Sequence, residues 1–256
     1  MATNSPRLRK ATKTSPLFPL NSFPATFVDR LSEHICYHLA TRGGADLEGK
    51  DWEKIFASCI GASWTPSNVG LDDITHNPSS TAWGAKTVKA RIDTSSQARA
   101  RRTPQKIRLI SGRNSPDYSF DSAVDRRKHN PNEVGSMVLE IWNARVREVR
   151  AKFENLRTVV LMKGEDLHTA AVFEFDTDMF IPGDLAWEWN TNGNLEGRML
   201  STNQHKFTWQ PHGSQFTIVE EVPVDALRLQ FKQPDSLPLK AVLEQVGFNS
   251  SFCTKI

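Results

Sequence analysis

A long amphipathic helix followed closely by an apolar strand is the feature that most restricts the fold. From Glu133 to Phe153, one helical face carries a stripe formed by Val134, Val138, Ile141, Trp142, Arg145, Val149 and Phe153. Residues 157–163 then contain the run Val159-Val160-Leu161-Met162, which is typical of a strand buried within a sheet. A helix that leads directly into a buried strand predicts a helix layer packed against a sheet.

Other segments extend this pattern along the chain. Helical spacing predicts helices over Phe27–Thr41, from Asp51 onward with Asp51 as N-cap, and over Pro238–Val246. Short strands are expected at Lys106–Ser111 and Ala170–Phe175, and two more within Phe207–Ile218, whereas Trp187 and Trp189 are expected in an anchored loop. Interleaved helices and strands predict an α/β fold, with α+β as the alternative, built on a mixed central sheet flanked by helices.

Composition favours one folded domain. Seven Trp and fourteen Phe indicate a packed core, and no apolar run approaches the ~20 residues that cross a bilayer. We therefore expect a flexible basic arm over residues 1–24, a single domain over 25–256, and a soluble, cytoplasmic protein. The three Cys lack CxxC spacing, which excludes a disulfide framework and a Cys-rich zinc module.

The charge is unevenly distributed. Residues 1–128 hold 20 basic and 12 acidic residues, a net charge of +8, whereas residues 129–256 hold 12 and 17, a net charge of −5. Between Lys86 and Arg113 there are nine basic residues and a single acid, Asp93. Such a block indicates a polyanion partner, nucleic acid above all, although a solvated basic loop is the alternative.

Asp72-Asp73-Ile74 precedes a segment that carries Lys86. An acid at the end of a turn or strand, followed closely by a strand with a lysine, is the layout of metal-dependent phosphodiester cleavage. There the acid binds Mg²⁺ and the lysine orients or deprotonates the attacking water. Asp73 is the preferred ligand and Asp72 the alternative, and a surface turn with an unrelated lysine has the same spacing.

Two polar turns carry side chains suited to reading base pairs. Arg113 and Asn114 follow Gly112 and match guanine and adenine edges, respectively. Gln210, His212 and Gln215 cluster at an expected hairpin tip. Phosphate contacts, or ordinary polar turns, are the alternatives.

These features together resemble type II restriction endonucleases of the PD-(D/E)XK nuclease superfamily. The resemblance is carried by residues 82–89 (AWGAKTVK), 110–116 (ISGRNSP) and 207–216 (FTWQPHGSQF), and it spans about residues 60–230. It implies a restriction-endonuclease-like fold, Mg²⁺-dependent cleavage of double-stranded DNA and, by analogy, a homodimer.

The chain departs from this family at one position. Members usually carry an acid two residues before the catalytic lysine, where this sequence has Gly84. Some restriction enzymes recruit the second carboxylate from a downstream helix, and Glu140, between Leu139 and Ile141, is the expected substitute, ahead of Asp93 and Glu148. The alternative for Glu140 is a salt bridge to Arg145 or Arg147.

The resulting hypothesis is a restriction-type endonuclease in which Asp73, Glu140 and Lys86 are catalytic and Asp73 and Glu140 hold Mg²⁺. The expected phosphate contacts are Lys89, Arg91, Arg101, Arg102 and Arg108, and the expected base contacts are Arg113, Asn114, Gln210, His212 and Gln215. A non-catalytic, sequence-specific DNA-binding regulator is the main alternative, and an RNA- or structure-directed nuclease is a third.

Overall fold

The computed structural model of this protein describes residues 14–42, 46–67, 70–92, 105–116, 128–165 and 167–249. Within these ranges the chain forms four α-helices and eleven β-strands, and the strands make up two sheets. The fold is therefore mixed α/β, as the sequence predicts. The second sheet is a feature that the sequence did not predict.

The helices are α1 (Phe27–Thr41), α2 (Gly49–Ile60), α3 (Pro131–Arg150) and α4 (Leu239–Gln245). The bounds predicted for the first helix are confirmed. The predicted N-cap of the second helix is wrong, because Glu48 is the N-cap and Asp51 lies three residues into the helix. The Asp51 carboxylate accepts the backbone N–H of Glu48 at 3.3 Å, which completes a capping box.

The strands are β1 (Ser63–Trp64), β2 (Ile74–His76), β3 (Thr81–Lys89), β4 (Lys106–Arg113), β5 (Asn155–Lys163), β6 (Thr169–Asp176), β7 (Leu185–Trp189), β8 (Leu195–Met199), β9 (His205–Gln210), β10 (Gln215–Glu221) and β11 (Leu227–Gln230). The first sheet has the order β1-β2-β3-β5-β6-β11, and its neighbours are antiparallel except for the parallel pair β3 and β5. A parallel pair needs a crossover connection, and α3 lies within it.

The first sheet is covered on both faces. On one face α1 and α2 pack on apolar residues of the central strands, including Ile74, Trp83 and Val159. On the other face, α3 packs over Ala82 and Leu156, while β4 packs over Val160 and its neighbours. Burial on both faces explains why β5 reads as a continuous apolar run.

The second sheet is antiparallel, has the order β4-β10-β9-β8-β7, and packs on α3. Trp187 and Trp209 reach the helix from two of its strands. The loop expected around Trp187 and Trp189 is thus wrong, because both residues belong to β7, which pairs with β8. Because residues two apart on a strand point to the same face, Trp187 and Trp189 both lie on the face of β7 that packs against α3.

Residues 14–24 pack against the first sheet. The ring of the buried Phe18 lies 6.0 Å from that of Trp83 and 5.6 Å from the guanidinium of Arg157. Beneath it, Arg157 forms a buried ion pair of 3.2 Å with Glu174, which also accepts a 2.6 Å hydrogen bond from Trp83 Nε1. The packed chain therefore begins before residue 25, the boundary expected from the sequence. The rest of the expected arm, residues 1–13, lies outside the described ranges.

None of the helices in the described part of the chain combines the length and the apolar character that crossing a bilayer requires.

Candidate active site

Asp72 and Asp73 lie immediately before β2, and both side chains are buried. Asp73 Oδ1 accepts the backbone N–H of Ser67 at 3.1 Å, and Asp72 Oδ1 accepts the Ser67 hydroxyl. The backbone carbonyl of Asp73 accepts the N–H of Thr65 at 2.8 Å. These bonds hold the two carboxylates in place directly before β2.

Lys86 lies on β3, the antiparallel neighbour of β2. Its Nζ donates a 3.5 Å hydrogen bond to the backbone carbonyl of Gly70, on the segment that leads into Asp72. Strand pairing therefore brings the acid and the lysine of the predicted motif to one end of the sheet. The adjacency of Asp73 and Lys86 is the geometry that the sequence motif requires.

The two groups perturb each other's ionisation. Burial raises the pKa of Asp73 above its usual range, and the negative charges of Glu53 and Asp72 add to this effect against the opposing Ser67 N–H and Lys86. Burial also lowers the pKa of Lys86, and the charge of Arg145 adds to it, while Asp73 and Glu53 oppose it. Perturbed ionisable groups gathered in one place are typical of active sites.

Gly84 occupies the position at which the resemblance implies an acid. A Cβ on Gly84 would lie 3.1 Å from the carbonyl oxygen of Gly70 and 3.2 Å from Cα of Leu71. The backbone of the segment that carries Asp72 and Asp73 thus packs directly on this glycine. A carboxylate at position 84 requires that segment to move, so any further acid must come from another element.

Glu53, which the sequence analysis did not single out, supplies a further acid to this region. It lies on α2, and its Oε2 accepts a 3.0 Å hydrogen bond from Trp64 Nε1 of β1. It is close enough to Asp73 and Lys86 for its charge to act on the pKa of both. Only tertiary packing brings α2 to the start of β2, and the local sequence around Glu53 carries no signal of it.

Glu140 is not brought to this site. Its side chain is 57% exposed and forms an ion pair with Arg147 on the same helix. The salt bridge that the sequence analysis held as the alternative is therefore present, and the expectation of an apolar environment for Glu140 is wrong. Glu148, a weaker substitute, pairs with Lys152 at 3.4 Å, and Lys152 in turn lies 3.8 Å from Asp72. Asp93 lies outside the described residues.

A cavity of about 170 Å³ opens between the two sheets beside Lys86. Its wall combines the aromatic rings of Trp142 and Phe180 with the ion pair of Lys206 and Glu220, which measures 2.6 Å. Lys86 therefore has the segment of Asp72 and Asp73 on one side and a partly polar cavity on the other.

Three of the expected base-contacting residues form one row across the second sheet. Gln215 of β10 pairs directly with Arg113 of β4 on one side and with Gln210 of β9 on the other. Directly paired residues of antiparallel strands point to the same face, so these three side chains share one surface. His212 is exposed in the short turn that joins β9 to β10. The row ends at β4, the edge strand that lies beside β3.

Asn114 does not belong to this surface, which corrects its predicted role in base contact. It is fully buried, and its Nδ2 donates a 2.9 Å hydrogen bond to the carbonyl of Val138 on α3. The backbone carbonyl of Asn114 accepts a 2.8 Å hydrogen bond from Trp209 Nε1. Asn114 therefore joins β4 to α3, and no DNA base can reach it in this arrangement.

The expected phosphate contacts are partly described. Arg91 and Arg108 are exposed, and Lys89 forms a 3.1 Å ion pair with Asp46. Arg101 and Arg102 lie outside the described residues. The structure thus places Arg108 and Arg113 on one edge strand, whereas Lys89 is already engaged by an acid.

In the described part of the chain, no three His, Cys, Asp or Glu side chains converge as a metal-binding cluster. Comparison with models of known protein families, with curated proteins and with solved structures gives no match. We therefore infer function from the geometry around Asp73 and Lys86.

Proposed function

We propose that this protein is a Mg²⁺-dependent, site-specific double-stranded DNA endonuclease of the restriction type. The observation that carries the proposal is that Asp73, buried directly before β2, and Lys86, on the neighbouring strand β3, lie at the same end of this strand pair, next to an edge strand that carries Arg108 and Arg113. An acid and a lysine so placed are what hydrolysis of a phosphodiester needs. The restriction-endonuclease-like fold and the homodimer implied by the resemblance belong to the same proposal.

The residues present fit a magnesium ion. Mg²⁺ prefers oxygen ligands and often uses only one or two protein carboxylates, with waters and substrate phosphates completing its shell. Asp73 and Asp72 would hold it, and Glu53 adds negative charge to their surroundings, whereas the Glu140 expected from the sequence takes no part. Burial is the main cause of the raised pKa of Asp73, and a bound cation would offset the smaller contribution from the negative charges of Glu53 and Asp72. When bound, the ion supplies stabilisation of the negative charge that develops on the phosphate.

In this proposal, Lys86 is the general base that takes a proton from the attacking water. Burial lowers the pKa of its ammonium group, so a larger fraction of the amine is neutral near neutral pH than for an exposed lysine. A neutral Nζ accepts a proton from water as the water attacks phosphorus, and the charged form then stabilises the resulting phosphate. The hydrogen bond to the Gly70 carbonyl holds Nζ beside the segment that carries Asp72 and Asp73.

DNA recognition is assigned to the second sheet. Arg113, Gln210 and Gln215 share one face, and arginine and glutamine form paired hydrogen bonds with guanine and adenine edges, respectively. Arg108 and Arg91 are placed against phosphates, where they make affinity depend steeply on salt. In this proposal the protein acts in the bacterial or archaeal cytoplasm.

The test is digestion of a long DNA by purified protein with Mg²⁺, with Ca²⁺ in its place, and with the Lys86→Ala and Asp73→Ala variants. Discrete fragments from the wild type with Mg²⁺ alone are the expected result, and mapping their ends gives the recognition site. Intact DNA in every sample, with a salt-sensitive gel shift retained, refutes the nuclease.

Gly84 favours a second candidate, a non-catalytic sequence-specific DNA-binding protein. The acid that the resemblance implies is absent there, and a side chain at this position would require the backbone of Gly70 and Leu71 to shift. This candidate predicts that DNA binding needs no divalent ion and that Asp73→Asn binds as tightly as the wild type. Its distinguishing result is specific binding of one DNA sequence without any cleavage.

A further inference from the structure

Arg145 of α3 is a half-buried cation whose donors are mostly unused. A guanidinium carries five N–H donors, and in the described part of the chain Arg145 donates only to the backbone carbonyl of Arg113. No described carboxylate lies within ion-pairing distance of it. Burial lowers its pKa, which reflects the cost of holding this charge away from water. By contrast, Arg147 is exposed and paired with Glu140.

The fold keeps space for this side chain. A Cβ on Gly112 would lie 2.3 Å from Nη1 of Arg145, so the guanidinium occupies the place that a larger residue on β4 would fill. Gly112 also has φ +129°, which side chains rarely adopt. A glycine at this point of the edge strand therefore admits the arginine.

Arg145 also lies between the two parts of the proposed site. It bonds the carbonyl of Arg113, the β4 end of the row with Gln215 and Gln210, and its charge acts on Lys86. Two neighbouring cations repel, and an anion bound near both offsets the repulsion. The planar guanidinium fork matches the oxygens of a phosphate group.

We infer that Arg145 binds a backbone phosphate of the DNA, between the recognition row of β4, β9 and β10 and Lys86. This inference rests on the proposed function and adds a ligand to it. A phosphate contact carries no sequence information but fixes the register of the duplex. Arg145 thereby sets how far the bases read by Arg113 and Gln215 lie from the phosphate at Lys86.

The experiment is a salt titration of binding. Affinity of a fluorescently labelled duplex is measured by anisotropy with Ca²⁺ in place of Mg²⁺, for wild type, Arg145→Gln and the matched control Arg147→Gln. Loss of one phosphate contact lowers the magnitude of the slope of log K against log salt by about 0.9. We expect this change for Arg145→Gln, with the same fold loss of affinity on every duplex sequence, and none for Arg147→Gln.

An unchanged slope for Arg145→Gln overturns the inference, and so does an equal loss of slope in Arg147→Gln. Arg145→Lys keeps the charge and is expected to restore the slope, so a lysine variant as defective as the glutamine variant also overturns it. Thermal melting of each variant shows whether Arg145→Gln is still folded. If it is not, the slope measured for Arg145→Lys decides whether Arg145 binds a phosphate. This titration measures binding and not cleavage. A wild type that binds DNA without cutting it therefore refutes the proposed nuclease activity but not the phosphate site, whereas a wild type that binds no duplex overturns both.

Discussion

Replacing Gly135 with alanine tests how the second sheet packs on α3. Gly135 is buried in the helix, and a Cβ there would lie 2.2 Å from Cδ2 and 2.3 Å from Cγ of Trp187 on β7. These atoms belong to the rigid base of the indole ring, which cannot swing aside as the end of a flexible chain can. The Trp187 ring must therefore leave its place or push α3 away from the sheet.

The size of the effect follows from two opposing contributions. Alanine in a helix interior gains about 1 kcal/mol over glycine. Overpacking of a core costs about 1–3 kcal/mol, and loss of the packing of a buried tryptophan costs about 3–5 kcal/mol. Because the overlap here involves several ring atoms, we place the cost near the upper values. The net loss of unfolding free energy is then about 2–4 kcal/mol, a fall in Tm of about 5–15 °C.

Urea unfolding followed by tryptophan fluorescence measures this loss, with thermal melting alongside. Gly49→Ala is the matched control, because Gly49 begins α2 and no atom lies within 4 Å of the Cβ it would gain. We expect the control to be as stable as the wild type or slightly more stable. A Gly135→Ala protein as stable as the wild type contradicts the packing of Trp187 against α3.

Three further predictions concern the site and the core. Gly84→Glu introduces the acid that the resemblance implies but must displace Gly70 and Leu71. We expect a loss of stability in urea unfolding and no faster cleavage in plasmid digestion, whereas a stable variant that cleaves faster contradicts the packing at Gly84. Burial raises the pKa of Glu174 to about 7, so the folded state holds a proton that the unfolded chain releases near pH 4.5. The free energy of unfolding should therefore fall as pH rises from about 4.5 to 7. Urea titrations at several pH values measure this dependence, and Glu174→Gln should weaken it. Asn114→Ala removes one hydrogen bond to the Val138 carbonyl and should cost about 1 kcal/mol in unfolding free energy without changing the recognised DNA sequence. A variant with a relaxed sequence preference would instead indicate that Asn114 contacts the bases.

Periodic patterns in the sequence predict the helices and five of the eleven described strands, because burial of one face is a local property. The bounds of α1 match, and β9 and β10 appear where two short strands are predicted. The second sheet was missed because β7 was expected as a loop and because β4 joins the sheet through its pairing with β10, far along the chain. Such pairings leave no mark on a short window of sequence.

In the candidate site as well, the sequence predicts the parts that lie close together in the chain and misses those brought together by tertiary packing. Asp73 and Lys86 belong to one local motif, which pairing of neighbouring strands brings together. Glu140 was misjudged because its sequence neighbours Leu139 and Ile141 are apolar, although adjacent helix positions point in different directions. Glu53 reaches the site only through the packing of α2.

The measurement closest to the central claim is the rate at which one plasmid is cut in Mg²⁺ by wild type, Lys86→Met and Glu140→Gln. Loss of a general base typically lowers a rate by about 10²–10⁴-fold. The account predicts a loss of that size for Lys86→Met and wild-type cleavage for Glu140→Gln, whose side chain is exposed and paired with Arg147. Wild-type cleavage by Lys86→Met, or its loss in Glu140→Gln, contradicts the assignment of the active site to Asp73 and Lys86.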